Sequence, residues 1–233
     1  MNLARVLTGL KRRLGKAALR LWVQRRSQPS PQLVRLGSDY GGWFVPRELL
    51  DGEEGLAVCA GVGEDATLEL ALLERSQMKL LSMDPTPRAI EYVEPLVEQH
   101  DRWQFEPVGL WSAEERLRFY EPADGDHVSH SIGNLQDTES FIEVDCTTLS
   151  SAIAPYADLP LHFLKMDIEG AEFEVLQSML RDEHYPTALG IEFDQPCSLL
   201  DIRRQLLDLE EVGYRLATSE GWNVTLVREA MRA

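Results

Sequence analysis

The apolar positions of this chain fall into short runs that alternate with periodic stretches. Gly55-Leu56-Ala57-Val58-Cys59-Ala60 is a short apolar run closed by Gly61-Val62-Gly63. Residues 65–76 then carry Leu68, Leu70, Leu72 and Leu73 with helical periodicity. Lys79-Leu80-Leu81-Ser82-Met83 reads as a second strand that stops at Asp84-Pro85. Residues 87–99 read as a helix, with Pro87 in the first turn where a missing N–H costs little. Residues 103–108, 161–166 and 188–193 continue as strands, and residues 172–181 and 198–212 as helices. Residues 214–218 and 223–228 pair around Glu220-Gly221 as an antiparallel finish. Strand and helix in turn are the grammar of a parallel sheet with right-handed crossovers. The pattern predicts a Rossmann-like α/β fold with a seven-stranded, mostly parallel sheet and an antiparallel end. Residues 116–120 alternate and suit a hairpin strand, and residues 124–138 read as a long polar loop.

A different pattern occupies the first thirty residues. Leu3, Leu7, Leu10, Leu14, Ala18 and Leu21 recur at spacings of three and four, which predicts an amphipathic helix ended by Gln28-Pro29-Ser30-Pro31. Arginines interrupt its apolar positions throughout, so it does not read as a signal peptide. The expected division is therefore residues 1–30, basic helix and linker, and residues 31–233, one α/β domain.

Charge sharpens that division. The chain has 233 residues, with Lys+Arg 23 and Asp+Glu 39, for a net charge of −16. Eight of the basic residues precede Gln28 and no acidic residue precedes Asp39. The rest carries 15 basic and 39 acidic groups, or −24. Such a body repels phosphate backbones, so nucleic acid is not an expected partner. Three readings of residues 2–26 compete: contact with an anionic membrane surface, packing on the acidic body of this chain or a second copy, and a loose extension. No run of 18 apolar residues exists, and the three cysteines are far apart without a CxxC pair. A cytoplasmic protein is expected, with contact to the inner face of a membrane left open by the basic helix.

In an open α/β sheet, ligands sit beyond the carboxyl ends of the strands. Gly61 and Gly63 let backbone approach a ligand there. A tight strand-to-helix turn is the plainer reading of the same glycines. Asp84 stands 21 positions beyond Gly63, where an acid accepts ribose hydroxyls, or alternatively caps the helix that starts at Pro87. Asp167-Ile168-Glu169-Gly170-Ala171-Glu172 follows the fourth strand, and Glu192 and Asp194 follow the fifth. Glu172 itself reads as an exposed helical residue.

Lys165-Met166-Asp167-Ile168-Glu169-Gly170-Ala171-Glu172, followed by Val175-Leu176, resembles the signature of FkbM-type methyltransferases. Gly61-Val62-Gly63-Glu64-Asp65, Met83-Asp84-Pro85-Thr86-Pro87-Arg88 and Gly37-Ser38-Asp39-Tyr40-Gly41-Gly42-Trp43 resemble a subgroup of that family. The resemblance runs from about residue 35 to residue 228. It implies a class I methyltransferase fold and S-adenosylmethionine as cofactor. It also implies O-methylation of a sugar, glycan or secondary metabolite. Gly61 and Gly63 would then line the methionine moiety, Asp84 would hold the ribose, and Val108-Gly109 would border the adenine. Most class I methyltransferases have an acid at the position of Cys59, so Glu64, Asp65 or Asp39 is left to anchor the cofactor's amino group. Asp167, Glu169 and His130 are the candidate general bases, His130 lying in the polar loop. The oxygen set Asp167, Glu169, Glu192 and Asp194 suits magnesium or calcium. The motif does not resemble the metal-dependent class, so no metal is expected. The acidic rim favours a neutral or cationic acceptor. Two rivals stay open: a nicotinamide-dependent oxidoreductase, which would lack the last glycine of G-x-G-x-x-G at Ala66, and a non-catalytic scaffold tethered by the basic helix.

Overall fold

The computed structural model describes residues 3–26, 32–120, 140–193 and 198–229, with side chains of the first helix described at residues 14, 15 and from 17 onward. Helix α1 (Leu3–Arg26) leads to an antiparallel hairpin of β1 (Leu33–Leu36) and β2 (Trp43–Pro46), then one turn of helix, α2 (Arg47–Leu50). Next come β3 (Leu56–Ala60), α3 (Thr67–Arg75), β4 (Lys79–Met83), α4 (Pro87–Val97) and β5 (Trp103–Glu106). A small three-stranded sheet follows from β6 (Gly109–Leu110), β7 (Glu115–Tyr120) and β8 (Phe141–Thr147). The chain then runs through α5 (Leu149–Ile153), β9 (Leu161–Met166), α6 (Glu172–Arg181), β10 (Ala188–Glu192), α7 (Leu199–Glu211), β11 (Tyr214–Glu220) and β12 (Asn223–Arg228).

Seven strands form the main sheet in the order β11-β12-β10-β9-β3-β4-β5. The five from β10 to β5 are parallel, and β12 runs antiparallel between β10 and β11. The expected seven-stranded, mostly parallel sheet with an antiparallel end is therefore present. The third strand stops at Glu106, two residues short of expectation, because Pro107 has no N–H to extend the ladder. Gly109 and Leu110 pair with β8 instead.

The strands read as continuous apolar runs because both faces of the sheet are covered. Leu56, Val58, Ala60, Leu164 and Met166 point to one core, shared with Val175 and Leu176 of α6 and Leu206 and Leu209 of α7. Ala57, Cys59, Leu80 and Phe163 point to the other, shared with Leu68 and Leu72 of α3, Val93 of α4 and Trp43 of β2. The hairpin β1–β2 thus packs beside α3 over the strand tips, a position the turn-rich patch at residues 37–43 did not disclose.

Helix α1 packs against β11. Leu19 and Val23 are buried in the core that contains Leu206, Tyr214 and Trp222. Gly15 lies against the Trp222 indole, 2.8 Å from where a Cβ would stand. The Trp22 ring is flanked by the Arg26 and Arg203 guanidinium groups at 5.1 and 5.3 Å, and Arg26 pairs with Glu210 of α7. The docked face is thus Gly15, Leu19, Trp22, Val23 and Arg26, spaced by three and four. It is not the leucine stripe read from the sequence, because Leu14 and Leu21 are exposed. A glycine facing a tryptophan, with a guanidinium over a second one, lets the helix sit closer on this side. Among the described residues, no helix is long and apolar enough to cross a membrane.

Truncation separates the two faces. Leu19→Ala should lower unfolding free energy by about 2–4 kcal/mol in urea denaturation, as for a buried leucine. Leu21→Ala should stay within about 0.5 kcal/mol of the native chain. Equal losses at both positions would contradict this docking.

Candidate active site

The backbones that leave β3 and β9 cross at van der Waals distance. Gly61 donates to the Met83 carbonyl at 2.8 Å, and Asp167 donates to the Ala60 carbonyl at 3.1 Å. Gly61 has φ +78°, and a Cβ there would lie 1.7 Å from the Asp167 carbonyl oxygen. No side chain fits. Gly63, at φ +60°, faces open space instead. One carboxylate fixes this turn. Asp84 Oδ2 accepts from the N–H groups of Val62 and Gly63 at 3.0 and 2.9 Å. Its Oδ1 accepts from the Thr86 N–H and hydroxyl at 2.9 and 2.6 Å. Asp84 is therefore no simple helix cap: it is a buried hub that ties the glycine turn to the start of α4.

Above these strand tips lies a cavity of about 620 Å³. Gly61, Gly63, Glu64, Asp65, Asp84, Gly109, Asp167 and Glu169 all line it. Tyr40, Trp43 and Phe119 supply aromatic walls, and Glu192 and Asn223 close one side. Several expected residues are elsewhere or otherwise engaged. Val108 is absent from the cavity wall and packs, half-buried, against the core. The Asp39 side chain is fully exposed, 3.9 Å from Arg35. His130 and Asp194 fall outside the described residues. Glu64 pairs with Arg88 at 2.5 Å. Burial pushes the Asp65 carboxyl up, but hydrogen bonds from Ser38, Thr67 and Gly41 outweigh it and hold it below its ordinary value. Asp65 thereby fastens the β1–β2 turn to the start of α3.

At the wall of the cavity sits a charge cluster whose lysine and glutamate sequence reasoning did not single out. Lys165 of β9 is buried between the sheet and Trp43, its ammonium 5.9 Å from that ring. Its Nζ donates to the Gly61 carbonyl and stands 3.4 Å from Asp167 Oδ2. Burial works against the charged lysine, yet Asp167, Glu69, Cys59 and Glu192 together keep its pKa raised. Glu69 of α3 is also buried, and its pKa is pushed up to about 7, mainly by that burial. The signal for Glu69 was present: a lone acid beside Leu68 on the helix face that Leu72 also occupies.

Glu172, expected on the surface, is 1% exposed. It reaches back to accept from the Ile168 and Gly170 N–H groups at 2.9 and 3.0 Å. Burial, with Asp167 and Glu169 nearby, pushes its pKa up to about 8. The turn it braces contains two successive left-handed residues, Glu169 at φ +51° and Gly170 at φ +102°. A non-glycine residue in that region is costly without such support.

A family model described as the Methyltransferase FkbM domain matches residues 61–216, well over half of the chain. A comparison with curated proteins finds no match.

Two outcomes follow from this geometry. Asp84→Asn replaces one acceptor oxygen by a donor and should cost about 2–4 kcal/mol of stability, since bonds to a charged acceptor contribute about 1.5–3 kcal/mol each. Urea denaturation measures it, and a loss under about 0.5 kcal/mol would remove Asp84 from its role as hub. The second outcome concerns pH. Glu172 and Glu69 keep their protons in the folded state up to about 8 and 7, against 4.5 as their ordinary value. Between those limits the folded chain binds more protons than the unfolded one, so this part of its stability falls as pH rises. Glu172→Gln cannot ionise. Its Tm relative to the native chain should therefore shift in the variant's favour as pH is raised from about 5 through about 8, and a constant Tm difference would contradict the buried-acid assignment.

Proposed function

The chain belongs to the FkbM methyltransferase family, and we propose that it is an S-adenosylmethionine-dependent O-methyltransferase. Its acceptor is a hydroxyl of a sugar, glycan or secondary metabolite. The observation that carries this reading is one cavity faced by both the Gly61–Gly63 turn and the Asp167 carboxylate.

The lining suits the donor. The glycine turn leaves open space at Gly63, Met83, Leu68 and Phe119 offer apolar surface, and a buried carboxyl oxygen of Glu69 has no partner. Asp84 serves the site through the turn it holds. All four of its acceptor positions are taken, so a ribose hydroxyl that reaches it exchanges for a bond already made. When bound, S-adenosylmethionine supplies an electrophilic methyl group.

The chain's own residues do the rest. A hydroxyl acceptor is a weak nucleophile at neutral pH and needs a base within hydrogen-bond reach. Asp167 accepts its proton, and Lys165 at 3.4 Å orients that carboxylate. Glu169, one turn of backbone further, is the second candidate. Tyr40 and Trp43 offer aromatic surface against which the acceptor is aligned. Partial burial and the facing carboxylates Asp167, Glu169, Glu192 and Asp65 push the Tyr40 hydroxyl up, so it stays a hydrogen-bond donor toward the acceptor. A neutral or cationic acceptor suits this rim, because an anion would meet Asp167, Glu169 and Glu192 together.

Calorimetry with S-adenosylmethionine and with NAD tests the donor: binding of NAD alone would return the nicotinamide-dependent alternative. Methyl transfer from labelled donor to a panel of neutral sugars and amino sugars tests the acceptor class. On any accepted substrate, Asp167→Asn should lower kcat by about 10²–10⁴-fold. Donor affinity should change by less than about threefold. An equal loss of donor affinity would make Asp167 a binding residue instead.

A further inference from the structure

Among the described residues, Glu69 is the acid of the cavity with a buried oxygen left without a partner. It stands in the first turn of α3, 2% exposed, and lines the cavity beside Gly61, Asp65 and Leu68. Its carboxyl group lies beside Cys59, and Oε2 is buried with no hydrogen-bond partner. An orphaned buried carboxyl oxygen is costly and calls for a donor.

The neighbours do not meet that call. Lys165 is the nearest cation, but its Nζ donates to the Gly61 carbonyl and sits against Asp167. On the other side Asp65 adds negative charge, and Cys59 is a neutral thiol that burial keeps well above its ordinary pKa. With Glu69 ionised, Glu69, Asp167 and Lys165 carry one negative charge in excess. The three acids first offered for an amino group are placed otherwise: Glu64 on Arg88, Asp65 on Ser38 and Thr67, Asp39 outside the cavity. Of the groups on S-adenosylmethionine, the sulfonium has no N–H, and the adenine amine is neutral. The primary ammonium alone is both cationic and a hydrogen-bond donor.

We propose that Glu69 is the anchor for the ammonium of the methyl donor's amino-acid moiety, with Oε2 accepting one of its three N–H bonds. The inference rests on S-adenosylmethionine being the donor. The first turn of α3 favours a negative charge at Glu69, because the free N–H groups of a helix start carry partial positive charge.

Calorimetry on the native chain and on Glu69→Gln, with two probes, tests it. S-adenosylhomocysteine carries the ammonium, whereas 5′-methylthioadenosine keeps the adenosine and thioether but lacks the amino-acid group. Glu69→Gln should weaken S-adenosylhomocysteine about 10- to 100-fold, the loss expected for a charged hydrogen bond. It should leave methylthioadenosine within about twofold. Parallel changes for both probes, or none for either, overturn the anchor while leaving the donor intact. A native chain that binds neither probe overturns the donor reading and the anchor with it.

A second measurement needs no variant. Burial lets Glu69 keep its proton up to about pH 7, and an arriving ammonium should drive it off. Cys59, Lys165 and Asp65 are the other groups that face it, and none of them changes charge near neutral pH. At about pH 6.5, S-adenosylhomocysteine should release a proton, read from binding heats in two buffers of different ionisation enthalpy, and methylthioadenosine should not. Equal proton release with both overturns the proposal.

Discussion

The backbone that leaves β3 passes so close to the backbone that leaves β9 that only a glycine fits between them. A Cβ at Gly61 would stand 1.7 Å from the Asp167 carbonyl oxygen. That contact sets the depth of the cavity and fixes where Asp167 points. It also leaves the Gly61 carbonyl exposed to Lys165, whose ammonium takes it up. The turn cannot relax away from this crossing, because Asp84 holds its next two N–H groups from the β4 side. Three parallel strands are thus joined at their tips by hydrogen bonds between loops, over and above the ladder between strands.

Charge is then arranged around that junction. A rim that bears Asp167, Glu169 and Glu192 would repel itself if nothing answered it. Lys165, buried in the sheet beside Asp167, answers part of it. Burying an ammonium is expensive unless it is paired and hydrogen-bonded. Lys165 has a carbonyl, a carboxylate and an aromatic face around it. The hairpin β1–β2 is part of this solution, since it brings Trp43 over the lysine and is itself fastened through Ser38 to Asp65. A segment that looks like a loop in sequence therefore acts as the roof of the charge cluster.

Parallel strands buried on both faces print themselves as apolar runs, so β3, β4, β9 and β10 could be read to within a residue. The glycine turn and the acids after β4 and β9 were legible for the same reason: a strand tip is easy to locate once the strand is. Strands of mixed exposure were harder. β8 buries Val144 and Cys146 but leaves Glu143 and Asp145 exposed, and it pairs in a second, smaller sheet. Burial that depends on tertiary closeness left almost no trace. Glu172 looks like any first-turn acid of a helix. Only the left-handed turn at Glu169 and Gly170 folds the Ile168 and Gly170 N–H groups back onto it. On α1, the described docked face is not the leucine stripe, since Leu14 and Leu21 are exposed. A leucine stripe competes with a glycine and one tryptophan flanked by two guanidinium groups, and shape complementarity to Trp222 decides.

The cysteine beneath the glycine turn makes sense in the same terms. Cys59 and Lys165 are direct partners in the register of β3 and β9. An acid at position 59 would lie opposite the lysine on the same face of the sheet. The two would pair with one another, and the lysine would be drawn away from the Gly61 carbonyl and Asp167. A thiol at that position leaves Lys165 to serve the Gly61 carbonyl and Asp167. The acid sits on α3, where the helix start favours its charge and one buried oxygen is left without a partner. Lysine and acid can then do separate work within one buried cluster. The lysine is engaged by the Gly61 carbonyl and Asp167, and the glutamate keeps one oxygen without a partner.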